Sequence, residues 1–265
     1  DDYVVSIVMY INADIEGAFC ISSGKDMAVF KGNGWSEEIA EFYKIQDYKA
    51  YLWLSHSRFP TNTPGWWGGA HPFSILDWAV VHNGEITSYG TNKRYLETFG
   101  YKCTLLTDTE VLAYLFDLLV RRHKIPVPIA TMAFNPPLYE KIDLMPKSLQ
   151  LALKNIRITY RSAMVNGPFS IIVGRSLPKP MLIGLTDRKK LRPQVAALSD
   201  DENTLFIASE EAAMKSVVLD SRFNVNYHKV WMPSSGTPII GIMNEGLVRK
   251  GIERPFEGYN LAISE

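Results

Sequence analysis

The chain has 265 residues, 46% of them hydrophobic and 21% charged, with 28 Lys plus Arg balanced by 28 Asp plus Glu. That length can bury a substantial core in one large domain or two small ones, and the charge balance argues against a nucleic-acid-binding face or a polybasic membrane patch. The two cysteines, Cys20 and Cys103, form no CxxC pair, so a disulfide framework or zinc site is not expected, and no run reaches the ~20 apolar residues of a membrane helix. The simplest reading is a soluble cytoplasmic protein with no metal.

The first residues are Asp1-Asp2, without an initiator methionine and without the features of a signal or transit peptide. They read as a chain entered in mid-domain, through truncation, processing or a split gene. Residues 3–11, rich in Val and Ile, predict a strand covered on both faces. Gly17–Ser23 and Met27–Lys31 predict two further strands around Ser23-Gly24-Lys25-Asp26. Ser36 is expected to cap a short helix through Ile45, with Glu37 and Glu38 in its first turn. Tyr51–His56 predicts a strand, followed by an irregular stretch from Ser57 to Phe73. Trp78–His82 predicts a strand ending at the turn dipeptide Asn83-Gly84, and Asn92–Phe99 a short helix closed by Gly100.

Glu110–His123 has a broad apolar face, and Thr107 and Glu110 have capping-box spacing. Five prolines between Pro126 and Pro146 suggest a linker, before a second long helix from Lys147 to about Val165. Strands are then predicted at Phe169–Val173, Met181–Thr186, Val195–Leu198, Leu205–Ala208, Val225–Val230 and Thr237–Met243. A helix from Ser209 to about Leu219 interrupts them, and Leu247–Lys250 follows a turn. The pattern predicts an α+β fold of two sheets packed face to face with helices outside.

Three polar sites fall at the ends of these elements. They are Arg58 in His56-Ser57-Arg58-Phe59-Pro60-Thr61-Asn62-Thr63, Asn83-Gly84 in His82-Asn83-Gly84-Glu85-Ile86, and Asp108 in Thr107-Asp108-Thr109-Glu110. A free amino acid offers a carboxylate suited to a forked guanidinium and an ammonium suited to a carboxylate. Amide hydrolysis also needs two donors aimed at the developing oxyanion, and a side-chain amide beside a glycine N–H can supply them. Each piece alone has a plain structural reading: a surface ion pair for Arg58, a hairpin turn for Asn83-Gly84, a helix-dipole acid for Asp108.

Together, HSRFPTNT, HNGEI and TDTE resemble the glutaminase domain of glutamate synthases within the class II, amino-terminal-nucleophile (Ntn) glutamine amidotransferases, and most of all the stand-alone archaeal-type subunit. Asp187-Arg188-Lys189-Lys190-Leu191-Arg192-Pro193 and Leu205-Phe206-Ile207-Ala208-Ser209-Glu210 are similar to the family's second-half signature, so the likeness runs from about Tyr3 to about Val248. The resemblance implies a four-layer α-β-β-α sandwich of two mostly antiparallel sheets, a single amidotransferase domain over 1–265 that is incomplete at its amino end and lacks its first strand. It implies hydrolysis of L-glutamine to glutamate and ammonia for a synthase partner, either a large subunit or one carrying FMN and iron–sulfur centres. Redox cofactors would belong to that partner, since no such motif occurs here.

Carried over by position, the resemblance gives Arg58 the substrate carboxylate, with Thr61 ordering its loop, and gives Asp108 the ammonium. Asn83 (side-chain amide) and Gly84 (backbone N–H) would form the oxyanion hole, with His82 supporting the turn. The following Pro64–Phe73 loop either closes over glutamine or packs Trp66 and Trp67 into the domain.

The family's nucleophile is an amino-terminal cysteine, and Asp1 cannot replace it. Cys20, inside an apolar run, reads as a structural thiol, and Cys103 has no motif support. Three explanations stand: a catalytic strand on a separate or cleaved upstream piece, its removal, or a natural pseudoenzyme. A missing strand would leave a ladder edge for a partner segment to pair with. The rival from another class is a non-catalytic glutamine sensor or scaffold. A different amino-terminal-nucleophile hydrolase, such as an acylase, fits Arg58 and Asp108 less well.

Overall fold

The computed structural model of the protein describes residues 1–57, 65–220, 225–227 and 229–248. Among them, β1 (Phe73–Ile75), β2 (Trp78–Gly84), β3 (Phe169–Arg175), β4 (Met181–Thr186), β8 (Ile239–Ile242) and β9 (Gly246–Leu247) form one antiparallel sheet in the order β1-β2-β3-β4-β8-β9. A second antiparallel sheet has the order β6-β5-β7, from β5 (Val195–Leu198), β6 (Leu205–Ala208) and β7 (Lys229–Trp231). The protein is α+β with two antiparallel sheets, as expected.

Alternation along the strands decides what each face meets. Phe169, Ile171 and Val173 of β3 and Met181, Ile183 and Leu185 of β4 join one core with α4 (Glu110–Phe116), every residue of which is buried. Trp78 of β2 stacks obliquely on Phe116, with ring centroids 5.4 Å apart. On the opposite face the second sheet comes close. Gln194 Nε2 donates to Ser170 Oγ and to the Ile171 carbonyl, both at 3.0 Å. A Cβ at Gly184 would stand 2.6 Å from Gln194 Oε1, and one at Gly241 2.5 Å from Leu205. Those glycines let the sheets approach. Beyond the second sheet, Met214 of α8 (Glu211–Val218) packs with Val195 and Ala197. The layers run helix, sheet, sheet, helix.

Several expected boundaries match. β4, β5 and β6 span the predicted residues, and α3 (Tyr89–Glu97) precedes Gly100, whose φ is +87°. The predicted long helix is α4 continued by a π-helical stretch, Asp117–Arg122. The proline-rich stretch holds α5 (Val127–Phe134) and α6 (Tyr139–Ile142), with α7 (Lys147–Thr159) beyond it, so it is no linker. Pro126 and Pro146 stand at the amino-terminal caps of α5 and α7, where a missing N–H breaks no helical hydrogen bond. β7 and β8 are shorter than predicted.

Residues 3–11 correct the expectation most. They lie in a helix, α1 (Asp2–Asp14), that buries Val5, Val8 and Met9 and exposes Tyr3, Val4, Ile7 and Tyr10. Burial at i, i+3 and i+4 is helical spacing, and a short apolar run does not distinguish the two periods. Gly17–Ser23, Met27–Lys31 and Tyr51–His56 join neither sheet. Their side chains suit strands, but a strand also needs a neighbour for its backbone groups. The first of them is tied to β1 through side chains instead: Ser74 Oγ donates to the Ile21 carbonyl at 2.7 Å, and Leu76 N–H to Ser23 Oγ at 2.9 Å. Ser36 is the first residue of α2 (Ser36–Phe42) rather than its cap; Trp35 caps it, with its N–H on Glu38 Oε2 at 3.2 Å.

Candidate active site

Asn83 and Gly84 form no turn of their own. They are the last residues of β2, paired with Ser170 and Phe169 of β3. Gly84 has φ +136°, and a Cβ there would meet the Pro168 carbonyl oxygen at 1.9 Å. Only glycine fits this departure from the sheet. The chain leaves through Glu85, whose N–H reaches the Pro168 carbonyl at 3.0 Å.

Two residues later the second motif meets the third. Asp108 Oδ2 accepts the Ile86 N–H at 2.7 Å, which binds the start of α4 to the end of β2. Asp108 Oδ1 accepts the Thr109 hydroxyl at 3.3 Å and lies 3.7 Å from His82 Nδ1. Thr109 Oγ1 is also 3.1 Å from His82 Nδ1 and 3.1 Å from His71 Nε2. His71 in turn stacks on His56, with ring centroids 4.0 Å apart. The HNGEI and TDTE segments thus converge on one polar node, with the histidine of each bracketing loop residue drawn in.

Thr107 and Glu110 do not form the expected capping box. Thr109 stands at the amino-terminal cap of α4, and its N–H reaches Thr107 Oγ1 at 3.3 Å. The Glu110 carboxylate turns away to accept the N–H groups of Thr104 (3.2 Å) and Leu105 (3.0 Å) and the Tyr114 hydroxyl (3.0 Å). Burial pushes the Glu110 carboxyl above its ordinary range, against these three donors. Two motif residues that looked like a local cap therefore serve the tertiary structure.

Gly84, Glu85, Tyr89, Asp108 and Thr109 face a cleft of about 1740 Å³, which residues 25–36 and 48–57 also line. Burial pushes the Tyr89 phenol up to about 12, so it remains a neutral hydroxyl at neutral pH. Arg58 and Thr61 lie outside the described residues. The described residues on either side of them, His56-Ser57 and Gly65-Trp66, line this same cleft. Neither cysteine lines it. Cys103 is buried, and burial above all, with the Glu110 carboxylate second, pushes its thiol upward, away from a nucleophilic thiolate. Cys20 is held at its backbone, its N–H on Asn12 Oδ1 at 2.6 Å and its carbonyl on Asn12 Nδ2 at 3.3 Å. No group of three His, Cys, Asp or Glu among the described residues could hold a metal ion.

The motifs themselves do not single out Thr109 or Lys31 for this site, and His71 enters the sequence reading only as a member of the Pro64–Phe73 loop. Thr109 carries only its place inside TDTE, and the other two become visible through contacts across more than thirty residues.

The family model of the class-II glutamine amidotransferases matches residues 6–221. The chain belongs to that family. The amidotransferase domain is 52% identical over 242 residues, 91% of this chain, to an uncharacterized protein of Archaeoglobus fulgidus. It is 28% identical over 80% of this chain to a putative glutamine amidotransferase of Methanothermobacter thermautotrophicus. A glutamine–fructose-6-phosphate aminotransferase (isomerizing) of Sulfurisphaera tokodaii is 29% identical over 66% of this chain. The domain spans 61%, 59% and 27% of these three proteins respectively. No helix among the described residues is long and apolar enough to cross a membrane.

Proposed function

We propose that this domain is the glutaminase part of a glutamate-synthase-type enzyme, binding L-glutamine in the cleft and releasing glutamate and ammonia to a synthase partner. The observation that carries it is the 2.7 Å bond between Asp108 and the Ile86 N–H, which brings a carboxylate able to take an ammonium beside the Asn83-Gly84 segment. A zwitterion held there by Asp108 and Arg58 would turn its amide toward the Gly84 N–H, and the Asn83 side chain, which does not line the cleft, would have to turn in to supply the second donor. Both donors would favour the tetrahedral oxyanion over the planar amide. His82, fixed through Thr109, supports the Asp108 carboxylate rather than moving protons.

The choice of a glutamate synthase over other amidotransferases rests on the strings HSRFPTNT, HNGEI and TDTE. The acceptor subunit, large or carrying FMN and iron–sulfur centres, is proposed on the same ground. In this reading the attacking thiol comes from a cysteine outside these 265 residues. The cleft supports it: about 1740 Å³ exceeds the roughly 300–1,000 Å³ of a typical small-molecule site, and residues 27–31 and 51–56, which join neither sheet, line it. A segment entering there would have room to carry its thiol toward Gly84.

Titration calorimetry with L-glutamine tests binding. Saturable heat that Arg58→Ala and Asp108→Asn each weaken at least about tenfold is expected, since each removes a charge-assisted contact. No heat, or heat equal in the variants, would sink the reading. That no cysteine lines the cleft also favours a second reading, a glutamine sensor without turnover. Ammonia release by the full-length protein separates the two.

A further inference from the structure

Gly84 ends β2 opposite Phe169, whose backbone turns to Asp187 on its other side. Phe169 N–H donates to Asp187 Oδ2 at 3.3 Å, and Asp187 N–H donates to the Phe169 carbonyl at 3.0 Å. Gly84 is therefore a non-hydrogen-bonded partner of Phe169, and its N–H points away from β3. Beyond Gly84 the backbone follows Asn166-Gly167-Pro168. Glu85 N–H donates to the Pro168 carbonyl at 3.0 Å, and Thr87 N–H to the Asn166 carbonyl at 2.8 Å. Gly167 has φ +119°, and a Cβ there would stand 2.0 Å from the Glu85 carbonyl oxygen. The two segments fit backbone to backbone, so the direction of the Gly84 N–H follows where residues 166–168 are held.

A side chain from beyond β4 holds them. Arg188 Nη1 donates to Asn166 Oδ1 and Arg188 Nε to the Pro136 carbonyl just past α5, both at 2.8 Å. Both acceptors are neutral. The neighbouring Asp187 carboxylate is occupied by the N–H groups of Phe169, Lys189 and Leu191. Burial first, and the nearby Arg157 second, act against the Arg188 charge. A half-buried guanidinium on neutral acceptors, beside another arginine, is a poor way to gain stability. Its planar fork does fix two directions at once, and what it supplies is the placement of Asn166. The Asn166 N–H closes the arrangement on Ser88 Oγ at 2.9 Å, and Ser88 Oγ donates to Asn92 Oδ1 at 2.8 Å.

We infer that Arg188 is a positioning residue: through Asn166 it fixes the backbone of residues 85–87 and so aims the Gly84 N–H at the developing oxyanion. The oxyanion in this inference rests on the glutaminase reading above; the tie from Arg188 to residues 85–87 does not.

The test uses the full-length protein carrying Arg188→Met, which removes every donor, with Arg188→Lys as the conservative variant. In Arg188→Met, amide hydrogen exchange at Glu85 and Thr87 should rise about tenfold or more while α4 keeps its protection. An oxyanion donor acts chiefly in the transition state. The kcat for glutamine hydrolysis should therefore fall about tenfold or more with KM changed less than about threefold. Arg188→Lys should recover part of the loss. Adding Asn166→Ala to Arg188→Met should lower kcat by less than a further factor of about two, because both changes break one tie. A folded Arg188→Met protein with unchanged kcat, or with its loss confined to KM, would overturn the inference. So would unchanged exchange at Glu85 and Thr87, or losses that multiply in the double variant. If Arg188→Met does not fold, Arg188→Gln, which removes the charge and shortens the reach, takes its place under the same criteria. If the wild type does not hydrolyse glutamine, the glutaminase reading fails, and exchange alone then decides whether Arg188 holds residues 85–87.

Discussion

The hydroxyl of Thr109 lies 3.1 Å from Nδ1 of His82, and through that contact the first residues of α4 are fastened to the end of β2. Thr109 is 1% exposed and His82 2% exposed, so water cannot replace either partner easily. Thr109→Val keeps the shape and removes the hydroxyl. It should destabilise the fold by about 1–3 kcal/mol, the cost of leaving buried polar atoms short of a partner. Urea unfolding measures this, and Thr109→Ser should return to within about 0.5 kcal/mol of wild type. Equal stability of the valine variant would show that the node is decorative.

Gly84 offers a sharper test of the β2 terminus. Alanine there must accept φ +136° and displace the Pro168 carbonyl, which would be 1.9 Å from the new methyl carbon. Gly84→Ala should cost roughly 2–5 kcal/mol and raise hydrogen exchange at the ends of β2 and β3. Wild-type stability in this variant would contradict the described geometry.

Arg121 holds Asp117, whose side chain is completely buried, with Nε on Oδ1 at 2.5 Å and Nη2 on Oδ2 at 2.8 Å. The Tyr101 hydroxyl donates to the same carboxylate at 2.5 Å. Arg121→Ala strands that buried charge and should cost about 3 kcal/mol in urea unfolding. The outer partner provides the contrast. Asp2 of α1 reaches Arg121 at 2.6 Å but is 78% exposed, so Asp2→Ala should change stability by less than about 1 kcal/mol.

Lys31 makes the stability depend on pH with a definite sign. Burial pushes its ammonium down to about 8 from an ordinary 10.5, against the opposing pull of Glu110. Between those values the unfolded chain holds a proton that the folded one has released, so stability rises with pH through that window. Below about 8 both states carry the proton and the full penalty of a buried charge remains. Lys31→Met should therefore match or exceed wild-type stability at neutral pH, with its relative advantage shrinking as pH climbs from about 8 toward 10.5. Urea midpoints of both proteins across that range give the comparison. A parallel pair of curves would mean that Lys31 does not titrate in this window.

Much of the second half was legible. β4, β5 and β6 carry unbroken apolar runs between turn residues, and a strand inside a sheet keeps those bounds. Residues 3–11 misled because Val and Ile suit either element, and only the burial of Val5, Val8 and Met9 against the core selects a helix. The stretch after Pro126 misled in the other direction, since prolines at helix starts look in one dimension like punctuation. At the site, the structure brings the segments of Gly84 and Asp108 together, and Arg58 and Thr61 fall outside the described residues. Thr109 and Lys31 were illegible because a threonine beside an aspartate and a lysine before a glycine are ordinary neighbours.

The amino-acid sequence alone determined the family, the three polar motifs and the bounds of β4, β5 and β6. Those are properties of residue type and local spacing. Only the tertiary structure decided that α1 is a helix, that Asp108 reaches Ile86, and that Lys31 grips the carbonyl of Gly68. Each of these depends on a backbone group or a buried face supplied from a distant part of the chain, and hydrogen-bond partners of that kind leave no mark on the residues beside them.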